Sequence, residues 1–423
     1  MPSLQNPTII VRDLPPKTFI GINLTSFNSS PNFHGINNIP SGLHFVYSGT
    51  DASLSIRHGH WLSLEQTSTT PQIHILQWNT DLEHLDLILP DSQTSHDVVR
   101  SLPNLQRKGL VDYTALRAAS ANLQADQSNI SSTARDASED DEDNDDPWPR
   151  LTNHVSPRLL ARVLTPTTSS DTSPQSWSLT SISCAPSDTE HIPGLTATET
   201  SSVLSPSATL NLVPIDLKQT WPDSAVGRDR TDKARDRSWY LGHLITVIGA
   251  AGHGSEEVAQ QVAARELLGE LQFCFLMVLT LANYSCLEQW KRILSVLFTS
   301  RSALTAAEAY LVEAIKVLRE QLARVEDVEG GLFEMADEMG SKWLRQLLKT
   351  LRGNVEEVEA QEVKKGLEEL EAWLGERYGW EDEKNLLRRG MVQLEDGEMV
   401  EVQVDGWDED EEAGEYAPVV VEM

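Results

Sequence analysis

The sequence predicts an α+β protein in which a β-rich N-terminal domain of sandwich or barrel type precedes an all-α C-terminal domain. Early in the chain, short apolar runs alternate with polar residues at a period of two and are broken by Gly, Pro, Ser and Thr clusters, the pattern of strands and turns. Later, apolar residues recur every three or four positions, the pattern of amphipathic helices. Between these parts lies a stretch too polar to form a core.

The first domain is predicted to cover residues 1–118. Its most informative part is residues 14–47, LPPKTFIGINLTSFNSSPNFHGINNIPSGLHFVY. Residues 19–24 alternate like a half-buried strand, and the turn residues at 28–31 end it. A second turn at 39–42 leads into a new apolar strand. Further β-like runs follow, so we expect several short strands packed as a sandwich or a partly closed barrel.

The predicted linker covers residues 119–209. Residues 138–146 form an acidic block, and residues 165–207 are rich in Ser, Thr and Pro, so we expect most of this region to be disordered. Between them, residues 148–166 are predicted to be an ordered island, because Leu159, Leu160 and Val163 would lie on one helical face. A second island is expected around Trp177.

The helical domain is predicted to cover residues 210–385, and an acidic tail to cover residues 386–423. Residues 267–298 are apolar over most of their length, so we expect them to form the central helices of this domain. Leu311, Ile315, Leu318 and Leu322 have the spacing of an amphipathic helix.

Two motifs resemble a known family. The order "PP…F.GI.L…F…P.F.GI..IP.GLHF" in residues 14–46, and "LLGELQF" followed by "EQWKR" in residues 267–292, are similar to the Aar-two family of mating-type-cistron splicing factors. The closing "GEYAPVVVE" looks like the end of fungal members. Asn23 and Ser41 depart from the pattern, because the family usually has Asp and Pro at these positions.

The resemblance implies a role in assembling the U5 small nuclear ribonucleoprotein. The partner it implies is the largest protein of that particle, a scaffold that is bound through its RNase H-like and Jab/MPN domains. The resemblance further implies that the factor keeps the RNA helicase of the particle away until nuclear import and phosphorylation release it. We therefore expect a cytoplasmic and nuclear protein, and a non-enzyme.

Charge and composition narrow the classes of partner. The chain carries 64 acidic and 34 basic residues, a formal net charge of −30, which argues against direct nucleic-acid binding and favours a basic protein partner. The longest apolar run is about 12 residues, shorter than the roughly 20 that a membrane helix needs. No leader peptide is expected from the first residues, and three widely spaced cysteines favour a reducing compartment.

No motif predicts catalysis, a metal, a cofactor or a small-molecule ligand. The glycine-rich residues 249–254 lack the Lys-Ser/Thr of a phosphate loop and read as a connection between helices. His58 and His60 are expected in a turn, solvated. Glu266 and Glu270 read as either a solvated helix face or a helix–helix ion pair. Two alternatives stay open: a helical adaptor that binds peptides in a groove, and a hydrolase with a β-sandwich domain.

The candidate site residues lie in the tail and the linker. Tyr416, Pro418, Val419, Val420 and Val421 belong to a segment, residues 416–422, that is predicted to add a strand to a sheet of the partner. The acidic residues 408–415 before it would steer the tail towards a basic surface. Ser138 precedes three acidic residues, as an acidophilic kinase requires, and is the candidate phosphorylation site.

Overall fold

The computed structural model describes residues 6–51, 55–65, 72–88, 92–119, 146–164, 176–189, 209–250, 256–325, 338–380, 389–393 and 399–403. They divide into two compact units: unit 1 within residues 1–214, 245–293 and 320–329, and unit 2 within 215–244, 294–319 and 330–423. The α+β prediction is confirmed, with the sheets towards the N-terminus and most helices towards the C-terminus. The domain limits drawn from the sequence stay a prediction.

Unit 1 contains two five-stranded sheets. Their strands are β1 Thr8–Arg12, β2 Phe19–Ile22, β3 Thr25–Asn28, β4 Gly35–Asn37, β5 Gly42–Gly49, β6 His58–Leu64, β7 Ile73–Asn79, β8 His84–Ile88, β9 Leu110–Asp112 and β10 Ser176–Thr180. The first sheet has the order β8-β7-β1-β4-β9, and the second has the order β10-β6-β5-β2-β3. Apolar side chains from both sheets form one buried cluster, as expected of a sandwich.

The N-terminal motif folds differently in detail from the single alternating strand expected at residues 19–24. The strand ends at Ile22, and β2 pairs with β3 in an antiparallel hairpin that matches Ile22 with Thr25. Asn23 has φ 56°, a left-handed conformation that Asn adopts more readily than most residues. The turn therefore comes five residues earlier than the Asn28 cluster suggested, and all four residues of β2 are buried.

Several segments between the two signature motifs also belong to unit 1. Helices α2 Trp148–Leu151 and α3 Pro157–Val163 follow the first sheet region, and α4 Pro186–Thr189 follows β10. The indole Nε1 of Trp148 donates to the backbone oxygen of Leu43 at 2.7 Å. Strand β10 pairs antiparallel with β6, with Trp177 opposite Trp61. The β10 strand thus extends the second sheet from a position more than 100 residues away in sequence.

The remaining helices are α1 Gln93–Lys108, α5 Gly227–Arg235, α6 Ser238–Gly249, α7 Glu256–Leu281, α8 Tyr284–Phe298, α9 Ala303–Ala306, α10 Glu308–Leu322, α11 Glu338–Glu357 and α12 Gln361–Tyr378. From Glu266 onwards, α7 is buried almost continuously, as its apolar sequence predicted, but it lies in unit 1 and not in the unit that contains most of the later helices. Trp61 lies 5.7 Å from Trp148 and 6.2 Å from Phe273, ring centre to ring centre. One aromatic cluster therefore joins a strand, an island helix and α7.

Unit 2 is helical apart from one hairpin. Arg352 on α11 makes a two-pronged ion pair with Glu371 on α12, at 3.1 and 2.5 Å. The strands β11 Arg389–Gln393 and β12 Met399–Gln403 pair antiparallel, an element that the sequence analysis did not predict. In the part of the chain that the structure describes, no helix is both long and apolar enough to cross a membrane.

Candidate functional site

The residues predicted to act in binding and regulation lie outside the described part of the chain. This applies to Tyr416, Pro418, Val419, Val420 and Val421 of the tail segment and to Ser138 of the linker. Their predicted roles stay predictions. What the structure does describe is how the two signature motifs hold unit 1 together.

The first motif is built around a buried hydrogen-bond chain that starts at Asn23. The Asn23 Nδ2 lies 3.0 Å from Nδ1 of His44 and donates to the hydroxyl of Tyr113 at 2.8 Å, while its Oδ1 accepts from the Phe45 N–H at 3.0 Å. His44 Nε2 lies 2.9 Å from the Pro40 oxygen. This pattern fits a neutral imidazole with its proton on Nε2, and burial lowers the pKa of His44 to about 4.

The chain ends at an acid just before α2. The Tyr113 hydroxyl donates to Oδ2 of Asp146 at 3.2 Å, and Arg117 lies 3.5 Å from the same oxygen. Burial and the nearby Asp146 carboxylate raise the pKa of Tyr113, so the phenol stays protonated and able to donate. An Asp at position 23 would only accept, so it would compete with Asp146 for the Tyr113 proton. With Asn23 as the donor, the hydrogen bonds all point in one direction, from Asn23 in the β2–β3 turn through Tyr113 to Asp146.

The second motif, LLGELQF, lies on α7 and fastens the loop between α2 and α3. A Cβ on Gly269 would lie 2.3 Å from the backbone oxygen of His154, so only glycine allows this approach. Next to it, Gln272 accepts from the His154 N–H at 2.9 Å and donates to the Asn153 side chain at 2.6 Å and to the Arg150 oxygen at 3.1 Å. In the sequence, Gly269 and Gln272 resembled ordinary residues of a helix core. In the structure they contact the backbone of the loop between α2 and α3.

An ion network on the same face of α7 holds α3. Arg162 donates through Nε to Glu266 at 2.6 Å and through a terminal nitrogen to Glu270 at 2.7 Å, and Arg158 lies 3.1 Å from Glu266. The Glu266 and Glu270 side chains are 3% and 0% exposed. Burial lowers the pKa of Arg162, but the two carboxylates outweigh it and leave the pKa raised.

Glu270 is also fully engaged on its other oxygen. Its Oε1 accepts from the Val213 N–H at 3.0 Å and from Nε2 of Gln289 at 2.8 Å, and Gln289 also donates to the Val213 oxygen at 2.7 Å. Of the two interpretations of Glu266 and Glu270, the solvated face is wrong and the ion pair between helices is right. Because each acid is buried and satisfied, the pair acts as a structural clamp and not as an acid–base couple.

The expectation of a solvated turn at His58 and His60 is also wrong. Both lie in β6, and His60 is buried with Nε2 at 2.7 Å from the Leu85 oxygen. The ring of His58 stacks on His84 at 4.6 Å between centres, and His84 Nε2 lies 2.8 Å from Asp86. The sequence did not indicate a strand here because His58 and His60 are polar. In the structure the Leu85 oxygen contacts His60 and the ring of His84 stacks on His58, so both histidines fit within β6. Among the described residues, no group of three His, Cys, Asp or Glu side chains could hold a metal ion.

A cleft of about 420 Å³ lies between β1, the loop before β4 and α1. Its polar lining residues are Arg12, Asp13, His34, Asp97 and Ser101. The Ser101 hydroxyl donates to the Val98 backbone oxygen at 2.9 Å, and the Asp13 carboxylate accepts from Gln77 at 3.1 Å. In this cleft the serine is therefore engaged with its own helix and not with a base, and the hydrolase alternative gains no support from it.

Comparison with known proteins identifies the family. A model described as the AAR2 N-terminal domain matches residues 5–165, and one described as the AAR2 C-terminal repeat region matches residues 212–383. The chain belongs to the AAR2 family. The two matches leave out most of the Ser/Thr/Pro-rich stretch and the acidic tail.

Sequence identity to individual members is low but extends over most of the chain. The chain is 26% identical to the mouse Protein AAR2 homolog over 352 residues, which cover 76% of each protein. It is 25% identical to the human Protein AAR2 homolog over 347 residues, with the same coverage. A rabbit homolog is 32% identical over a shorter stretch of 107 residues. The similarity therefore spans both units.

Family membership supports a role in pre-mRNA splicing, in the assembly of the U5 small nuclear ribonucleoprotein. The partners of this chain are accordingly proteins of that particle. The family is one of assembly factors and is not known for enzymes. The geometry agrees with that role, since the signature residues act in positioning segments of the chain.

Proposed function

We propose that this protein is an assembly chaperone that binds the large scaffold protein of the U5 particle through its RNase H-like and Jab/MPN domains. Bound there, it blocks premature binding of the particle's RNA helicase. The observation that carries the proposal is the match of both AAR2 domains, in order, to one chain. The net charge of −30 further favours a basic protein surface over RNA as the binding partner.

A direct test uses the full chain and a recombinant scaffold fragment that contains both domains. We expect a one-to-one complex by calorimetry, and we expect the purified helicase to be displaced from the scaffold fragment as this protein is added. A complex that forms but leaves helicase binding unchanged would remove the blocking role. The absence of any complex would remove the scaffold as the partner.

The tail supplies a second contact in this proposal. Residues 416–422 would add a strand to a sheet of the scaffold, because three consecutive valines favour extended backbone. Main-chain hydrogen bonds would give affinity and side-chain pockets specificity. The tethered tail would raise the local concentration of the globular units around the scaffold. Pro418 fits the start of such a strand, since it has no N–H to donate.

The hairpin β11–β12 is an alternative to the scaffold as the sheet that residues 416–422 could extend. It pairs residues 389–393 with 399–403, a short distance before the tail segment. Removing residues 413–423 distinguishes the two outcomes. If the tail binds the scaffold, the truncated protein binds it more weakly, most clearly at low salt. If the tail only extends its own hairpin, scaffold affinity stays unchanged and amide exchange in residues 389–403 becomes faster.

Regulation and location complete the proposal. Phosphorylation at Ser138 would add negative charge to an already acidic block and would act by repulsion from acidic neighbours or by attraction to basic ones. We place the protein in both cytoplasm and nucleus. Phosphopeptide mapping that finds other serines modified but Ser138 unmodified would exclude this site, and fractionation that finds the protein in one compartment alone would exclude shuttling.

A further inference from the structure

One end of the unit 1 sandwich presents three large apolar side chains to solvent. Ile56 is 52% exposed, Leu82 is 62% exposed and Ile182 is 61% exposed. Most other large apolar side chains in unit 1 are buried in its cores. Exposed apolar residues scattered singly need no explanation, but three at one end of a sandwich do.

Two of the three side chains are brought together by the β6–β10 ladder. The register ends with His58 opposite Thr180; Ile56 comes two residues before this pair, and Ile182 comes two residues after it, in the turn that the Ser183 N–H closes on the Thr180 oxygen at 3.1 Å. The Ser181 N–H donates to the Arg57 oxygen at 2.9 Å, and the Arg57 N–H donates to the Ser181 hydroxyl at 3.2 Å. The backbone around both isoleucines is therefore fixed although their side chains are exposed.

The third side chain is on a turn that is held equally firmly. Asn79 Oδ1 accepts from the backbone N–H groups of Asp81 and Leu82 at 3.0 and 3.2 Å, and Asn79 Nδ2 donates to Asp86 at 2.9 Å. Glu83 has φ 54°, a strained conformation for a residue other than glycine. Such a turn holds Leu82 outward at a fixed position, which lowers the entropy cost of using it as an anchor.

A stacked histidine pair connects the turn to the strand. The rings of His58 and His84 lie 4.6 Å apart at an angle of 15°. His58 belongs to β6, two residues after Ile56, and His84 follows Leu82 by two residues and lies 3.3 Å from its backbone oxygen. The stack therefore brings the segments that carry Ile56 and Leu82 to the same end of the sandwich.

The charge around this surface is acidic. Asp81 and Glu83 are exposed in the turn, and Asp86 is half-buried beside His84. Burial raises the pKa of Asp86, but hydrogen bonds from Asn79 and His84 outweigh it and leave the pKa lowered, so the carboxylate stays charged. Burial and its neighbours His84 and His60 lower the pKa of His58 to about 4, so this ring adds no positive charge near neutral pH.

We propose that this sandwich-end surface, formed by Ile56, Leu82 and Ile182 around His58 and His84, is a docking site for a basic protein surface with apolar anchors. An apolar centre with an acidic border is complementary to such a surface, and burying an exposed Leu or Ile side chain in an interface removes apolar area from water. The inference rests on the proposed function, because it assigns the site to the same scaffold protein. It places a contact on the globular part of the chain, separate from the tail.

The test measures the affinity of the scaffold fragment with both domains for the full chain and its variants. Leu82→Ala and Ile182→Ala should each weaken binding by about tenfold or more, in line with anchor residues of interfaces. Val258→Ala is the matched control, because Val258 is an exposed apolar residue of unit 1, 54% exposed, that lies on α7. It should change affinity less than twofold. Circular dichroism and thermal unfolding check that each variant is folded.

Charge reversal tests the chemistry of the partner. The double change Asp81→Lys and Glu83→Lys should weaken binding and reduce its dependence on salt, because a basic partner would then meet like charge. Tighter binding would overturn the assignment of a basic partner. If the original protein binds and all surface variants bind equally well, the docking site is wrong and the proposed function stands. If the original protein does not bind, the proposed function and this assignment fail together.

Discussion

Two ion networks, one in each unit, use Arg and carboxylate side chains in opposite ways. In unit 1, Arg162 makes ion pairs with Glu266 and Glu270, whose side chains are almost completely buried. In unit 2, Arg228 pairs with Asp232 at 3.8 Å on α5, with side chains that are 95% and 64% exposed. No residue of α5 is buried, whereas α7 is buried over most of its length.

The difference separates charges that position segments from charges that solvate a helix. Removing one partner of a buried pair leaves the other charge in a medium that cannot solvate it, which is costly. An exposed pair exchanges one solvated state for another and contributes little. The sequence shows acids one helical turn apart on both helices, Glu266 and Glu270 on α7 and Asp229 and Asp232 on α5, so only burial decides which of them hold the protein together.

The largest effect is expected from Glu270→Ala. It removes a ligand of Arg162 and leaves the Val213 N–H and the Gln289 amide without their acceptor. We expect a loss of about 3–5 kcal/mol in the free energy of unfolding, as for other broken buried pairs. Urea unfolding followed by Trp fluorescence measures it. A loss below about 1 kcal/mol would mean that water reaches the network and that it is not a clamp.

Acid should destabilise unit 1 by a comparable amount. Burial lowers the pKa of His44 and of His74 to about 4, whereas an unfolded His titrates near 6.5. The unfolded state therefore binds more protons, so stability is complete above pH 6.5 and is lost progressively as the pH falls towards 4. Each buried ring contributes on the order of 2–3 kcal/mol to this loss.

Amide exchange at pH 7 and pH 5 measures this loss separately in the two units. Protection in β2, β5 and β7 should fall before protection in α11 and α12. A parallel loss of protection in both units would contradict the greater acid sensitivity of unit 1. An unchanged acid sensitivity of unit 1 in the His44→Gln variant would exclude His44 as its cause.

A glycine pair compares the packing of the two units. Gly269→Ala forces a Cβ to 2.3 Å from a backbone oxygen, whereas Gly366→Ala on α12 meets only side-chain carbons of Ile315 at 4.0 Å. We expect the first change to destabilise by about 1–3 kcal/mol through overpacking. The second should stabilise by up to about 1 kcal/mol, because Ala favours helix over Gly. Melting temperatures that move in the same direction for both variants would contradict this contrast.

The smallest effect is expected from Asp232→Ala on α5. The exposed pair with Arg228 should contribute less than about 0.5 kcal/mol, and less still at high salt. Denaturation curves at low and high salt check this value. A loss comparable to that of Glu270→Ala would show that exposure does not distinguish the two networks.

Periodicity was sufficient for the fold class and for the burial of α7, because both depend on patterns within a short window, but it did not indicate that α7 belongs to unit 1. It failed at Asn23, where a left-handed residue ends β2 early, and at His58 and His60, where polar residues occupy a buried strand. In both places a distant partner, Tyr113 or the Leu85 backbone, satisfies the polar group. No local pattern reports such a partner.

Only the acidic side of the ion network between α3 and α7 could be predicted from the sequence. The spacing of Glu266 and Glu270 showed that they share a helix face, but nothing nearby in sequence indicated Arg162, which lies 104 and 108 residues away. The hairpin β11–β12 was missed because its acidic surroundings suggested a tail. The proposed docking surface combines three segments. Each contributes one exposed apolar residue, and a single exposed apolar residue is ordinary on a protein surface.

The pairing of α7 with the island helices also governs how the chain matures during synthesis. The outward face of the second sheet carries Trp61, which is covered by Trp148 and by Phe273 of α7. A ribosome must complete the whole linker and α7 before that aromatic face is closed. Until then the nascent sandwich exposes tryptophan to solvent, and contacts between such distant residues form slowly. A factor that assists the assembly of others would thus itself be a natural client of folding chaperones.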